Sequence, residues 1–286
     1  MKYAVILLLL LPLMLAAEPW KLDSDINFSF TQSAYNSDWV GTELSNITWV
    51  ATSNTSAEKQ LKSWLLNRTT LKLAFGQTHL QKVEASGERE WQTPQKSTDK
   101  IDLESLFRFT TQGWVDPFFA VKMESQFIDE SDPSLTRIVN PMLFTESAGA
   151  MRSFYSSENS SLDTRLGMAI RERLNREALQ PDLTREMETT IDGGLESVTE
   201  YKTKLPMMDA NFKSRLGLYQ ALFNSESDNV DGDWKALDVS WENALIAKLW
   251  GLISANLTFE LRYEKEAVHA VQWKEILGLG FSYTLF

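Results

Sequence analysis

Apolar and polar side chains alternate with a period of two at many separate places along the chain. The clearest run is Ile253, Ala255, Leu257, Phe259, Leu261 and Tyr263, with Ser254, Asn256, Thr258, Glu260 and Arg262 between them. A period of two sends the two sets to opposite faces of a strand, so this segment has one apolar and one polar face. The next segment repeats the pattern: Val271, Trp273, Leu277, Leu279, Phe281, Tyr283 and Leu285 oppose Gln272, Lys274, Gly278, Gly280, Ser282 and Thr284. Glu275 breaks its apolar face and Ile276 its polar one. Further strands are expected around residues 26–30, 47–51, 71–75, 101–109, 119–127, 147–155, 162–170, 190–201, 212–218 and 237–249, the run at 190–201 being blurred by Gly193 and Gly194. That makes about twelve strands, within a range of roughly 10–14, since strand boundaries are the weakest reading.

Only one continuous apolar run is present. Met1 and Lys2 are followed by the leucine-rich stretch from Tyr3 to Ala17, and Glu18 opens a polar segment. A basic start, a short apolar core and small residues at the boundary make a secretory signal peptide. The run is short against the roughly 20 apolar residues of a spanning helix. The expected organisation is a cleaved leader at 1–17 and one exported domain at 18–286. Strands of a transmembrane barrel escape a mean-hydropathy measure, because one face of each is polar.

The spacing of the strands adds a second signal. Connections at 77–100, 129–146 and 172–189 read as long, whereas 112–117, 156–161, 202–210 and the Trp250-Gly-Leu252 turn read as short. Bacterial outer-membrane barrels have an even strand number, with short turns at one end and longer loops at the other. Trp49, Trp64, Trp114, Trp241, Trp250 and Trp273 fall near predicted strand ends, where barrels carry their aromatic girdles. The fold expected is all-β: a single antiparallel transmembrane β-barrel.

Composition narrows the partners. The formal net charge is −11 over 286 residues and there is no cysteine. Phosphate backbones need clustered Lys and Arg, so a nucleic-acid binder is excluded. Disulfides and thiolate zinc sites are absent for want of cysteine. No phosphate-binding glycine loop or metal-ligand cluster appears, and no cofactor is expected.

Several stretches of the first half form a pattern: Trp39-Val-Gly41, Asn46, Trp64-Leu-Leu-Asn67, Leu71, Gly76, Lys96-Ser-Thr-Asp-Lys-Ile101 and Ser125-Gln-Phe127, with Pro141 and Gly149 beyond them. Over about residues 36–150 this resembles the domain-of-unknown-function 3078 family of Bacteroidota-type Gram-negative bacteria. A second Gly beside Gly41 and a Gly-Tyr pair after Phe127, expected from that pattern, are missing. The resemblance implies an outer-membrane β-barrel and brings no catalytic residues. The end of the chain, from Gly278 to Phe286, resembles the terminal strand that barrel-assembly machinery reads, although Phe286 is out of phase with Phe281, Tyr283 and Leu285.

Candidates for chemistry are few. The only histidines, His79 and His269, fall near predicted external strand ends, but a nucleophile needs an aligned base and an orienting group, and no serine motif accompanies either. No catalytic residue is expected and the protein reads as a non-enzyme. The acidic segment 224–233 places Asn229, Asp231 and Asp233 at alternate positions, as in a calcium loop. Trp234 then stands where glycine is needed and Ser240 where a bidentate Glu is needed, so a solvated hairpin tip is the better reading.

The polar faces are richer. Candidate lumen residues are Lys72, Asp102, Glu104 and Arg108 in the first third of the chain; Lys122, Glu124, Arg165 and Arg171 in the middle; and Arg215, Glu242, Lys248, Glu260, Arg262 and Lys274 toward the end. Mixed charges pointing inward pair across a barrel or line a narrow wet pore. The expected function is a constricted channel or binding barrel for a small solute or apolar molecule, with segments 129–146 and 172–189 folding in and Pro133, Pro141 and Pro181 stiffening them. The alternatives are a structural envelope barrel without transport and an outer-membrane hydrolase using His79 or His269. The expected surroundings are outer-membrane lipid and lipopolysaccharide of a Gram-negative cell.

Overall fold

A computed structural model describes residues 20–35, 44–84, 88–111, 113–180, 183–227 and 232–285. The expected leader at 1–17, the Trp39–Gly41 motif, Pro181, Asn229, Asp231 and Phe286 lie outside the described residues. Twelve long strands form the wall: β1 (Lys21–Ser33), β2 (Asn46–Lys62), β3 (Leu65–Val83), β4 (Gln95–Phe109), β5 (Asp116–Ser125), β6 (Met142–Ser156), β7 (Ser160–Leu179), β8 (Arg185–Leu205), β9 (Ala210–Asn224), β10 (Leu237–Trp250), β11 (Ile253–Tyr263) and β12 (Gln272–Leu285). Each pairs antiparallel with its sequence neighbours, and β1 pairs with both β2 and β12. The sheet therefore closes on itself and leaves no edge, the condition for a sheet in a bilayer. All twelve expected strands are present.

The strands run longer than alternation alone predicts. Segment 172–189, expected as a loop, is mostly strand: β7 and β8 have 20 and 21 residues and only residues 180–184 join them. Segment 129–146 likewise is not a free loop. It contains a two-stranded ribbon, Ile128–Asp132 against Leu135–Ile138, and the start of β6. The reason is chemical. Beyond the apolar band both faces of a hairpin meet water, so the period-two signal disappears while the hydrogen-bonded ladder continues. Both described chain ends lie at the end of the barrel that carries the short turns, including residues 63–64, 157–159 and 251–252.

The molecule is built inside out. Leu166, Met168, Leu277, Leu279 and Phe281 are each at least 60% exposed, whereas Asp102, Glu104, Ser147, Arg165 and Ser254 are at most 5% exposed. Aromatic ladders cross neighbouring strands on the outer face: Phe28, Trp49 and Phe75 on β1–β3, and Trp241, Phe259 and Trp273 on β10–β12. Trp64, Trp114 and Trp250 stand exposed at the short-turn end. In water such a surface would aggregate; against hydrocarbon it is the expected one. This is the fold of an outer-membrane β-barrel.

Candidate functional site

The site with the most organised chemistry is the lumen. Its side chains come from alternate positions of each strand, and register fixes which of them meet. Lys72 stands opposite Asp102, Asp102 opposite Glu124, and Glu104 opposite Lys122. These residues pair along the wall and also across it.

One tier is built from arginine and glutamate. Glu104 on β4 accepts two bonds from Arg165 of β7, at 3.0 and 2.6 Å, and a 2.8 Å bond from Arg215 of β9. Arg215 also reaches Glu200 at 2.5 Å, and Arg68 of β3 donates to the same carboxylate at 3.2 Å. Glu196 lies 3.8 Å from Arg165. Three guanidiniums thus face three carboxylates, and the fork geometry of arginine suits such bidentate pairing. Beside this tier lies a cavity of about 10 Å³, lined by Arg68, Leu106, Met151, Arg165, Val198 and Glu200 among others.

The second tier is built from lysine. Lys72 donates to Glu242 at 2.9 Å, and Lys100 donates to the other oxygen of the same carboxylate. Asp102 lies between Lys100 and Lys122, at 3.8 and 3.5 Å, and Lys122 holds Glu124 at 2.9 Å. Lys274 sits 3.8 Å from Glu260 and donates to Thr98 of β4 at 2.9 Å. Arg262 is 3.9 Å from Glu260 and more than half exposed. Near the long-loop end, Arg171 bridges Asp192 and Asp238, each at 2.9 Å, and lies over the Tyr219 ring. Near the short-turn end, Arg108 pairs with Asp116 at 2.5 Å.

These contacts fix the shape of the cross-section. Twelve strands about 4.8 Å apart and tilted about 40° would form a circle about 24 Å across, backbone to backbone. A fully extended Lys–Glu pair spans only about 14 Å between Cα atoms, from standard bond lengths and hydrogen-bond distances. Yet Lys100 on β4 touches Glu242 on β10, six strands away in a ring of twelve. Arg68 on β3 touches Glu200 on β8, and Glu104 on β4 touches Arg215 on β9. The barrel is therefore flattened, with β3–β4 pressed toward β8–β10. At constant perimeter the long axis is about 30 Å.

The small residues sit where this shape needs them. Its two sharply curved ends fall at β6–β7 and at β12–β1. There the inner positions are Ser147, Gly149, Gly167 and Ala169 at one end, and Gly278, Gly280, Ser282, Asn27 and Ser29 at the other. A Cβ on Gly149 would lie 2.2 Å from the Leu166 carbonyl oxygen, and one on Gly280 would lie 2.0 Å from that of Phe28. Lys72, Lys100, Glu104, Arg215 and Glu242 occupy the flat walls, while Arg165 reaches in from β7 and Lys274 from β12.

Of the fourteen residues proposed for the lumen, the structure brings thirteen into ion pairs within it. Lys248 stands apart, exposed near the short-turn rim, and makes none of the ion pairs among the described residues. The sequence reading missed Arg68, Lys100, Glu196 and Glu200. Parity could have found the first two, since Arg68 shares a face with Lys72, and Lys100 with Asp102. The last two lie in the strand whose pattern the Gly193-Gly194 pair hides.

The loop regions were expected to fold in; the bonds of segment 126–141 run to the rim ends of β4, β7 and β8. Asp99 on β4 accepts from the N–H groups of Phe127 and Ile128, at 2.6 and 2.9 Å. Across the ribbon, Arg137 pairs with Asp129 at 2.7 Å and donates to Asn175 and to the Arg176 carbonyl. Arg185 of β8 pairs with Asp132 at 2.6 Å. The 126–141 segment is thus fastened along the rim between β4 and the β7–β8 hairpin. Burial pushes the Asp129 carboxyl up, and bonds from Ser131, Asn140 and Arg137 outweigh it, leaving the group below its ordinary range. A cleft of about 720 Å³ remains between residues 92–96 and 126–131.

The histidines are far from this machinery. His79 lies on β3 opposite Ile47. His269 lies between β11 and β12, 2.5 Å from Asp233, whose other oxygen holds Lys265 at 2.7 Å. The Lys265 bond, with His269 beside it, lowers the Asp233 carboxyl below its ordinary range. Among the described residues no serine hydroxyl bonds to either imidazole, and no group of three His, Asp or Glu side chains is arranged to hold a metal.

Comparison with known proteins finds a partial family match. Residues 30–130 match the family described as Protein of unknown function (DUF3078). The matched stretch covers the motifs from Trp39 to Phe127 and leaves out Pro141 and Gly149. Similar solved structures include an outer membrane channel from Pseudomonas putida F1, 13% identical over 96% of this chain and 98% of that one, TM-score 0.44. Another is the translocator domain of the autotransporter NalP from Neisseria meningitidis, 8% identical over 93% and 89%, TM-score 0.38. A third is the β domain of the Bordetella autotransporter BrkA, 10% identical over 91% and 98%, TM-score 0.34. No curated protein matches the chain in sequence.

Proposed function

We propose that this protein is a constricted channel of a Gram-negative outer membrane, closed at rest by side chains that join opposite walls. The supporting observation is the pairing of Lys100 with Glu242 and of Glu104 with Arg215 across the lumen. An apolar filling would seal a barrel without the desolvation cost of buried charge. Here the lumen carries two charged tiers, with only a small apolar cluster of Leu106, Phe118, Ala120 and Met151 beside the arginine tier, and Arg165 Nε and Glu196 Oε2 are buried without a protein partner. Such a tier has spare donors and acceptors through which its contacts can rearrange.

In this reading the leader directs export and is removed. The short-turn end faces the periplasm and the ribbon end faces outside. Lipid and lipopolysaccharide contact the apolar belt, and the last strand is the part presented to the assembly machinery. The reading gives His79 and His269 no catalytic role. A structural barrel without transport is the second reading, favoured by the close packing of the arginine tier.

The test is a planar-bilayer recording of the purified, refolded protein. The channel reading expects a closed baseline with brief, small openings under applied voltage. Silence at every voltage favours the structural barrel. A steady ohmic current, as from an open porin, contradicts both.

A further inference from the structure

We propose that the lysine tier is an anion site, occupied at rest by Glu242 as a built-in carboxylate, and that it takes small solutes bearing a carboxylate or phosphate group. The proposal rests on the channel reading for its physiological use, and the site itself is tested separately below.

Three adjacent strands, β3, β4 and β5, direct Lys72, Lys100 and Lys122 toward one region of the lumen. The group that fills it belongs to neither of their hairpins. Glu242 arrives from β10 on the opposite wall and offers one oxygen to Lys72, at 2.9 Å, and the other to Lys100. A free carboxylate bound by two ammonium groups would be held in the same way. The rest of the wall does not neutralise the cluster. With Glu242 set aside, Lys72, Lys100, Lys122, Arg262 and Lys274 of this tier face three carboxylates, Asp102, Glu124 and Glu260, and positive charge is left over.

Three features make Glu242 displaceable. Lysine holds anions as a flexible point charge with rotatable donors, without the rigid fork that fixes geometry in the arginine tier. Water reaches this part of the tier: the Lys72 and Glu242 side chains are 24% and 26% exposed, whereas the most open pair of the arginine tier, Arg68 and Glu200, is 19% and 16% exposed. A withdrawn Glu242 also has a second cation at hand, because Arg215 lies opposite it in the β9–β10 register. An entering oxyanion can therefore exchange with Glu242 without leaving a carboxylate unpaired, and the exchange detaches β10 from β3–β4 in this tier.

Two measurements test this on the full chain in detergent and in bilayers. Calorimetric titration with inorganic phosphate, and separately with succinate, is expected to show binding to the Glu242→Gln variant that is severalfold tighter than to the unaltered protein. Adding Lys100→Met to that variant should abolish it. In a potassium chloride gradient the Glu242→Gln variant should conduct with a reversal potential on the chloride side, and phosphate should reduce that current. Absence of phosphate and succinate binding to Glu242→Gln overturns the anion site, as does binding unchanged by Lys100→Met. If phosphate binds as expected but no variant ever conducts, the site stands and the channel reading falls. If Glu242→Gln fails to fold, weak phosphate binding to the unaltered protein that Lys100→Met removes supports the site, and no such binding overturns it.

Discussion

Replacing Glu104 by Gln keeps the side chain's volume and removes its charge. Glu104 is 5% exposed, and it is the one carboxylate shared by Arg165 and Arg215. Removing one partner of a buried ion pair costs about 3–5 kcal/mol, because the other charge stays buried and uncompensated. Two guanidiniums are affected here, but neither is stranded. Arg215 keeps Glu200 at 2.5 Å, and Arg165 keeps Glu196 at 3.8 Å. The lower end of the range is therefore expected, about 3 kcal/mol. Urea unfolding of the barrel refolded into lipid vesicles, followed by tryptophan fluorescence, measures it. Arg262→Gln is the internal comparison: its pair is 3.9 Å long and half exposed, so its loss should cost about 0–1 kcal/mol. The double variant Glu104→Gln with Arg165→Met should recover part of the loss, since replacing both members of a buried pair is cheaper than removing one. A Glu104→Gln cost no larger than that of Arg262→Gln would refute the idea that this tier ties the walls together.

Three further outcomes follow from the faces and the shape. Leu257 lies on the outer face between Leu245 and Leu277, so Leu257→Arg should cost about 2–4 kcal/mol if it is near the bilayer midplane; an unchanged urea midpoint would place Leu257 in water. Gly149→Ala should prevent folding to the heat-modifiable form on electrophoresis, because its Cβ would strike backbone at Leu166 and Gly167, whereas Gly232→Ala, with nothing within 4 Å, should fold normally. Deleting the ribbon at 128–138 should leave single-channel conductance unchanged, since its bonds run to Asp99, Asn175 and Arg185 on the rim; a large increase would make the ribbon the constriction.

Much of the fold was legible because lipid and lumen impose different chemistry on the two faces of every strand. Alternation at 253–263 assigned Leu257 and Phe259 outward and Glu260 inward, and the register with Lys274 agrees. Glu275, which broke the pattern, does fall on the outer face, opposite Phe259. What alternation could not convey was anything beyond the apolar band, which is why β7 and β8 were cut short and 172–189 was read as a loop. Nor does parity carry distance across the lumen. It placed Glu104 and Arg215 on inner faces, but only the closed sheet shows that they touch. The cross-wall pairs escaped the sequence for the same reason: the rim loops were visible in it as length, while those pairs have no linear signature.

The flattened section can be measured directly, and the absence of native cysteine makes it convenient. Spin labels on outward-facing positions report wall-to-wall distance without touching the lumen. One pair, Leu103→Cys with Trp241→Cys, spans β4 to β10; the other, Met168→Cys with Leu279→Cys, spans β7 to β12. Pulsed electron resonance in vesicles should give a distance across β4–β10 shorter by about 10 Å or more than that across β7–β12, given axes of about 14 and 30 Å. Equal distances, as in a round twelve-stranded barrel, would contradict a lumen closed by paired side chains from opposite walls.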